Sequence, residues 1–235
     1  MFDAMLIIIW AVVTWCVAGE GAFGAALNCL IVVLSGLLAM NLFEPAAGIG
    51  QSIMGSAEWA YRWDVIALVG LFAAFVLGLR FLFERWTPRY FAMDEPGDSV
   101  GRWLFGAVTG YVTMAFLLTA LHTAPLPRNF IGFTPERANL FGLVAPDRQW
   151  LGLTQYVSEK AFARGAPRVF DGPFEDFIQA RNADEHPNTV WPSFPIRYAS
   201  RREVLAGTSR AVVPAAAAPP PPAPGQSSGS GAAGF

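Results

Sequence analysis

Met5 to Gly19 reads MLIIIWAVVTWCVAG and Ala22 to Phe43 reads AFGAALNCLIVVLSGLLAMNLF, two apolar runs parted only by Glu20 and Gly21. Neither run alternates polar with apolar residues as a barrel strand does. A backbone without water around it must close its own hydrogen bonds, and a helix does so within one segment, so the pair predicts a tight helical hairpin in lipid. Two further runs follow, Val65 to Phe83 (VIALVGLFAAFVLGLRFLF) and Trp103 to Leu121 (WLFGAVTGYVTMAFLLTAL). Roughly 20 helical residues rising about 1.5 Å each cover a hydrocarbon layer of about 30 Å, so four spans are expected, the first extending back through Phe2.

Composition agrees. The chain is 54% hydrophobic and only 14% charged, well below the share of charge in a soluble domain. A soluble protein with four such runs before residue 122 would need a larger polar shell than these residues supply. The first run has no basic start and flows into a second apolar segment, so it is expected to persist rather than be cleaved as a signal peptide. Trp59, Tyr61 and Trp63 before the third run, and Trp86 and Tyr90 after it, stand where amphipathic rings meet headgroups. Arg80 can snorkel outward with Glu84 one turn on as its partner.

Orientation rests on arginine, which makes up fifteen of the sixteen basic residues. With four spans, Arg62, Arg128 and Arg137 share the side of the termini. Arg80, Arg85, Arg89 and Arg102 lie on the other. The positive-inside bias then puts the loop between the third and fourth spans in the cytoplasm and both termini in the periplasm. Basic residues nowhere form a run interleaved with aromatics, so nucleic acid is not an expected partner. Cys16 and Cys29 sit in apolar runs as small hydrophobes.

Beyond His122 the composition changes. Pro125, Pro127 and Pro135 stop the fourth helix, and residues 122–207 mix charge, aromatics and turn formers as a water-facing or interfacial, mainly helical region does. Asp147 is placed to cap a helix running to about Arg164, with Trp150, Leu151, Leu153, Tyr156, Val157, Ala161 and Phe162 on its apolar side. A second short helix is expected around Phe174 to Arg181. Residues 208–235 form an Ala/Pro/Gly/Ser-rich tail that buries too little surface to order itself and reads as disordered.

Three motifs bear on chemistry. Gly97-Asp98-Ser99-Val100-Gly101 matches the G-x-S-x-G nucleophile elbow, with Asp147 or Asp171 and His186 following in hydrolase order. An elbow needs a buried strand ahead of its serine, whereas Arg89 to Pro96 is a polar loop, so Asp98 or Ser99 is read as the N-terminal cap of the fourth helix. Gly19, Gly21 and Gly24, with Glu44 further on, spell a dinucleotide pattern. The preceding run is far longer than a strand, and Gly19, Glu20 and Gly21 are read as the hairpin turn. Gly106 and Gly110 form G-x-x-x-G inside a span, where absent side chains let two helices approach. They serve either packing within the bundle or dimerisation. Polar residues within the spans are few (Thr14, Asn28, Ser35 and Thr109) and are expected to bond between helices. His122 and His186 stand alone, His122 at the interface. No catalytic, cofactor-binding or metal-ligating set is assigned.

The stretch from Val65 to Leu121, a span, a polar loop, an aspartate and a glycine-spaced final span, resembles the second half of a CvpA (colicin V production) protein. Asp98, Phe105-Gly106-Ala107 and Gly110 stand at the positions of that family's aspartate and last-helix glycines. Asp3 and the glycine-rich hairpin extend the resemblance over residues 1–121, a CvpA-like four-helix transmembrane domain, in a divergent member with a lengthened C-terminal region. Glu20 and Thr109 replace basic residues usual in the family. The resemblance implies a bacterial inner-membrane protein, a non-catalytic accessory or scaffold in toxin production or export and envelope maintenance. Its implied partners are the lipid bilayer and envelope or export proteins. The alternative is a small channel or transporter subunit assembled as a homo-oligomer through the fourth helix.

Overall fold

The structure is a computed structural model that describes residues 2–53, 62–86, 94–126, 131–133, 139–160, 170, 194, 195 and 198. Among these residues it is all-helical: α1 Phe2–Ala18, α2 Gly21–Ile53, α3 Trp63–Trp86, α4 Gly97–Thr123 and α5 Pro146–Lys160. An isolated antiparallel bridge joins Leu140 and Val144.

Three of the helices, α2, α3 and α4, are long and apolar enough to cross a membrane. α1 starts at Phe2, as expected, but its 17 residues fall short of that length, reaching only about 25 Å at 1.5 Å per residue. Of the four spans read from sequence, three are full length and the first is the shorter α1. α2 runs ten residues past Phe43 and carries Pro45 inside it. The helix continues through a proline that gives no N–H, with Phe43 buried before it and Ala47 and Gly50 after it.

α4 is the centre of the bundle. It packs along α1 on one side and α2 on the other, while α1 and α2 touch each other only lightly. α3 lies outside, against α2, with Leu68 its one buried residue. Trp63 and Trp86 bound α3 at its ends; Trp59, Tyr61 and Tyr90 lie outside the described residues.

One apolar core joins α2, α4 and α5. Leu37, Met40, Phe43, Leu68, Phe116, Trp150 and Leu151 share it, and Phe72 of α3 stacks on Phe116 with ring centroids 4.1 Å apart. A second cluster (Phe2, Leu6, Met114, Leu118 and Phe133) ties α1 to the far half of α4. Over its described residues, the segment after His122 contributes Phe133, Trp150 and Leu151 to the bundle's core. The indole of Trp150 is seated on Gly36, where a Cβ would stand 2.5 Å from its Cζ2. The extension of α5 to Arg164, the short helix around Phe174 to Arg181 and the tail at 208–235 lie outside the described residues.

Candidate functional site at the two polar ends of the bundle

The hairpin end gathers the first set of polar side chains. Gly19 and Glu20 make the turn, and Gly21 opens α2 with φ +78°, a left-handed conformation that glycine adopts without Cβ strain. Arg80 Nη2 donates to Glu20 Oε1 at 2.7 Å and Arg80 Nε donates to Glu84 Oε1 at 2.9 Å. The expected Arg80–Glu84 pair is therefore present, and Glu20 joins it from another helix. Asn28 Nδ2 donates to Glu20 Oε2 at 2.6 Å. The three ionic side chains are half exposed, so each pair contributes about 0–1 kcal/mol. Their main effect is to register α3 against the hairpin.

Asp98 does not do what its spacing suggests. The N-cap of α4 is Pro96, with no side-chain cap bond, which leaves both Asp98 and Ser99 inside the first turn. Asp98 Oδ1 instead accepts the Ala22 N–H at 2.8 Å. It satisfies one of the unpaired N–H groups at the start of α2, which lies close because Gly101 allows it: a Cβ there would stand 2.7 Å from Ala22 Cβ. The cap expected within one helix is made between two.

Along the α1–α4 seam, Gly106 and Gly110 are both buried. A Cβ on Gly106 would stand 3.0 Å from the Thr14 carbonyl oxygen, and one on Gly110 2.7 Å from that of Trp10. Trp10 Nε1 donates to the Ala107 carbonyl at 2.9 Å across the same seam. Of the two roles left open for the glycines, the structure uses them for packing within the bundle. The hydroxyls of Thr109, Thr113 and Thr119 bond back to their own helix, to Phe105, Thr109 and Ala115 carbonyls, and Thr14 Oγ1 and Ser35 Oγ are buried without a hydrogen bond. The interhelical bond expected of Thr109 is replaced by one to the i−4 carbonyl of its own helix, and Thr14 and Ser35 make none. Trp10 supplies the crossing bond.

The opposite end holds a buried pair. His122 Nε2 lies 2.8 Å from Asp147 Oδ2, and both side chains are fully buried. His122 is in the last turn of α4 and Asp147 in the first turn of α5. A helix end of that polarity favours a cation at its C-terminus and an anion at its N-terminus. Phe133 meets the imidazole edge-on at 5.0 Å and Phe194 at 6.5 Å, excluding water. Asp147 Oδ1 is buried without a hydrogen bond. Beside the pair, Tyr111 Oη donates to Gln149 Oε1, a second bond from α4 to α5. Two expectations change here: His122 does not stand alone but is paired and buried, and Asp147 bonds His122 where it was expected to cap its own helix. Pro146, which lacks an N–H, opens the helix, so fewer donors need a cap.

The serine-hydrolase order is not assembled with Asp147. Ser99 and His122 sit at opposite ends of α4, 23 residues and about 35 Å apart, and Asp171 and His186 lie outside the described residues. Gly19, Gly21 and Gly24 sit at a helix–helix turn with no strand before them. Among the described residues no three His, Cys, Asp or Glu side chains converge on a metal position. A His–Asp pair in an aromatic box fixes the imidazole tautomer and holds a proton, and it fastens α5 to α4. The signal that reveals it in sequence is its placement: a histidine closing one helix and an aspartate opening the next.

No protein-family model, curated protein or solved structure matches this chain.

Proposed function

We propose that this chain is a multi-pass accessory or scaffold protein of a bacterial inner membrane, of the CvpA type, serving toxin production or export and envelope maintenance without chemistry of its own. The observation that carries the reading is the role of α4. Asp98, Gly106 and Gly110, the residues on which the resemblance rests, are the ones through which α4 grips α2 and α1. A motif that organises the fold rather than a pocket is what a platform requires. The interior supports the same choice, since among the described residues Met40, Phe43, Leu68, Phe72 and Phe116 fill it with apolar side chains.

The channel or transporter alternative relied on Gly106 and Gly110 as a face between copies. In this chain those glycines lie against α1, which favours the scaffold reading. Arg80, Arg85 and Arg102 gather at the hairpin end, which supports a cytoplasmic hairpin and periplasmic termini under the positive-inside bias.

Photo-crosslinking in native membranes from exposed positions such as Tyr156 and Leu153, followed by identification of neighbours, tests the scaffold reading: discrete envelope or export proteins are expected. Vesicles containing the purified protein should carry no ion flux. Flux that disappears in Glu20→Gln or Asn28→Ala would replace the scaffold with a transporter. A topology reporter after Gly207 is expected to read periplasmic.

A further inference from the structure

Asp98 and Arg102 stand four residues apart on α4, acid before base, the spacing at which such side chains ordinarily pair across one helical turn. Here they do not pair. Asp98 turns Oδ1 to the Ala22 N–H at 2.8 Å, and Arg102 makes no hydrogen bond or ion pair with any described residue. Arg80 and Glu84, at the same spacing on α3, do pair at 2.9 Å. Spacing of this kind therefore works at this end of the bundle, and it is the start of α2 that draws Asp98 aside.

The groups left over can be reached from outside. Asp98 Oδ2 and the two Nη of Arg102 have no partner among the described residues and are not enclosed, whereas Arg102 Nε is enclosed. Four helical residues rise about 6 Å, so one helix face presents a carboxylate oxygen and a guanidinium edge about that far apart. Neither charge is neutralised by the other.

Their depth follows from the chain around them. Arg102 is the last charge before the uncharged run Trp103 to Leu121. Trp103 opens that run and meets Trp15 of α1 with ring centroids 5.9 Å apart, both rings exposed, as amphipathic rings are at a headgroup boundary. Gly101 meets Ala22 near the start of α2, and Gly106 meets Ala18 at the end of α1. Asp98 and Arg102 thus lie beside the hairpin turn, where the spans leave the hydrocarbon.

Phosphate is the anion at that level of a bilayer, and it suits a guanidinium edge, which offers two parallel N–H donors. An acidic headgroup, however, would bring net negative charge to a place where Asp94 and Glu95 are exposed beside Asp98, and like charges repel. A headgroup carrying its own cation on a short arm meets no such penalty.

We propose that Asp98 and Arg102 bind the headgroup of one ethanolamine phospholipid, Arg102 Nη taking the phosphate and Asp98 Oδ2 the primary ammonium. The ammonium donates hydrogen bonds to the carboxylate, which a quaternary ammonium lacks the N–H groups to do. Trp15 and Trp103 lie alongside the glycerol end. The proposal rests on the spanning reading of α2 to α4.

Native mass spectrometry tests it, on full-length protein released from micelles holding equal amounts of phosphatidylethanolamine, phosphatidylglycerol and phosphatidylcholine with identical acyl chains. The ethanolamine adduct is expected to exceed each of the others several-fold. Arg102→Gln and Asp98→Asn should each bring it down to the phosphatidylcholine level, the asparagine keeping an oxygen for the Ala22 amide. Arg85→Gln, exposed at the end of α3, should leave it unchanged. Equal adducts of the three lipids in the parent protein overturn the proposal, and so does a preference for phosphatidylglycerol, which would mean a merely cationic surface. An ethanolamine preference that survives both Arg102→Gln and Asp98→Asn also overturns it. Excess soluble glycerophosphoethanolamine should not displace the lipid; displacement would make the ligand a free phosphodiester and overturn the lipid assignment. Protein that carries no lipid of any class and stays monodisperse without detergent would remove the spanning reading together with the proposal.

Discussion

Replacing Gly110 by alanine puts a methyl group 2.7 Å from the Trp10 carbonyl oxygen, 2.7 Å from Thr14 Oγ1 and 2.8 Å from Trp10 Cδ1. Ordinary contact begins at 3.4 Å, so about 0.7 Å (3.4 − 2.7) must come from somewhere. A rotamer change moves the hydroxyl and the indole but not the carbonyl, and α1 has to shift as a body. It is held at both ends, by the hairpin turn and by the Asp3–Phe141 bond, so the shift is resisted. Overpacking of this kind costs about 1–3 kcal/mol. Gly106→Ala meets its nearest atom at 3.0 Å and should cost less than Gly110→Ala. Gly78 on α3 has nothing within 4 Å of its Cβ position, and alanine there should be neutral or should gain up to about 1 kcal/mol from helix propensity. Unfolding in mixed micelles of rising SDS fraction, followed by tryptophan fluorescence, reads the series. The expected order of midpoints puts Gly78→Ala highest, the parent at or just below it, then Gly106→Ala, with Gly110→Ala lowest. Parental stability in Gly110→Ala refutes the seam, and loss of a dimer with monomer stability intact would move that face to a contact between copies.

The same unfolding assay checks three further expectations. His122→Ala should cost about 3–5 kcal/mol, because it strands a buried carboxylate, while His122→Leu combined with Asp147→Leu should cost much less than the sum of the single changes. Asp98→Ala should cost about 0.5–2 kcal/mol and speed hydrogen exchange at the Ala22 amide, whereas Ser99→Ala should stay within about 0.5 kcal/mol of the parent. Trp150→Ala should cost about 3–5 kcal/mol through the cavity left over Gly36, and loosening of α5 should appear as faster proteolysis after Lys160.

Helices announced by long apolar runs were legible because nothing but lipid or a core accepts nineteen such residues in a row, and the Gly19–Gly21 turn because no side chain competes there. Ends were harder to read. The apolar run stops at Phe43, where Glu44 follows, yet α2 continues through Pro45 to Ile53. Partners were the hardest. Asp98 has four local amides in reach by spacing alone, and only the approach of Gly101 to Ala22 brings a better one from another helix. Glu20 and Arg80 are 60 positions apart, and nothing local links them. Composition marked the segment after His122 as water-facing or interfacial because its charges are visible in sequence, while the contact of Trp150 with Gly36 depends on how α5 folds back.

The position of α4 between α1 and α2 has a consequence for how the chain is built. During insertion the first two helices enter the bilayer before α4 exists, and they have little hold on each other. The amide of Ala22 and the face of α1 around Trp10 and Thr14 then wait for a later helix to arrive. Assembly of the bundle is thus a closing step made by the last span, a wedge driven into an open clasp. A ribosome stalled before residue 97 would leave that clasp apart, with its glycine-matched groove turned toward any other small-residue helix in the membrane.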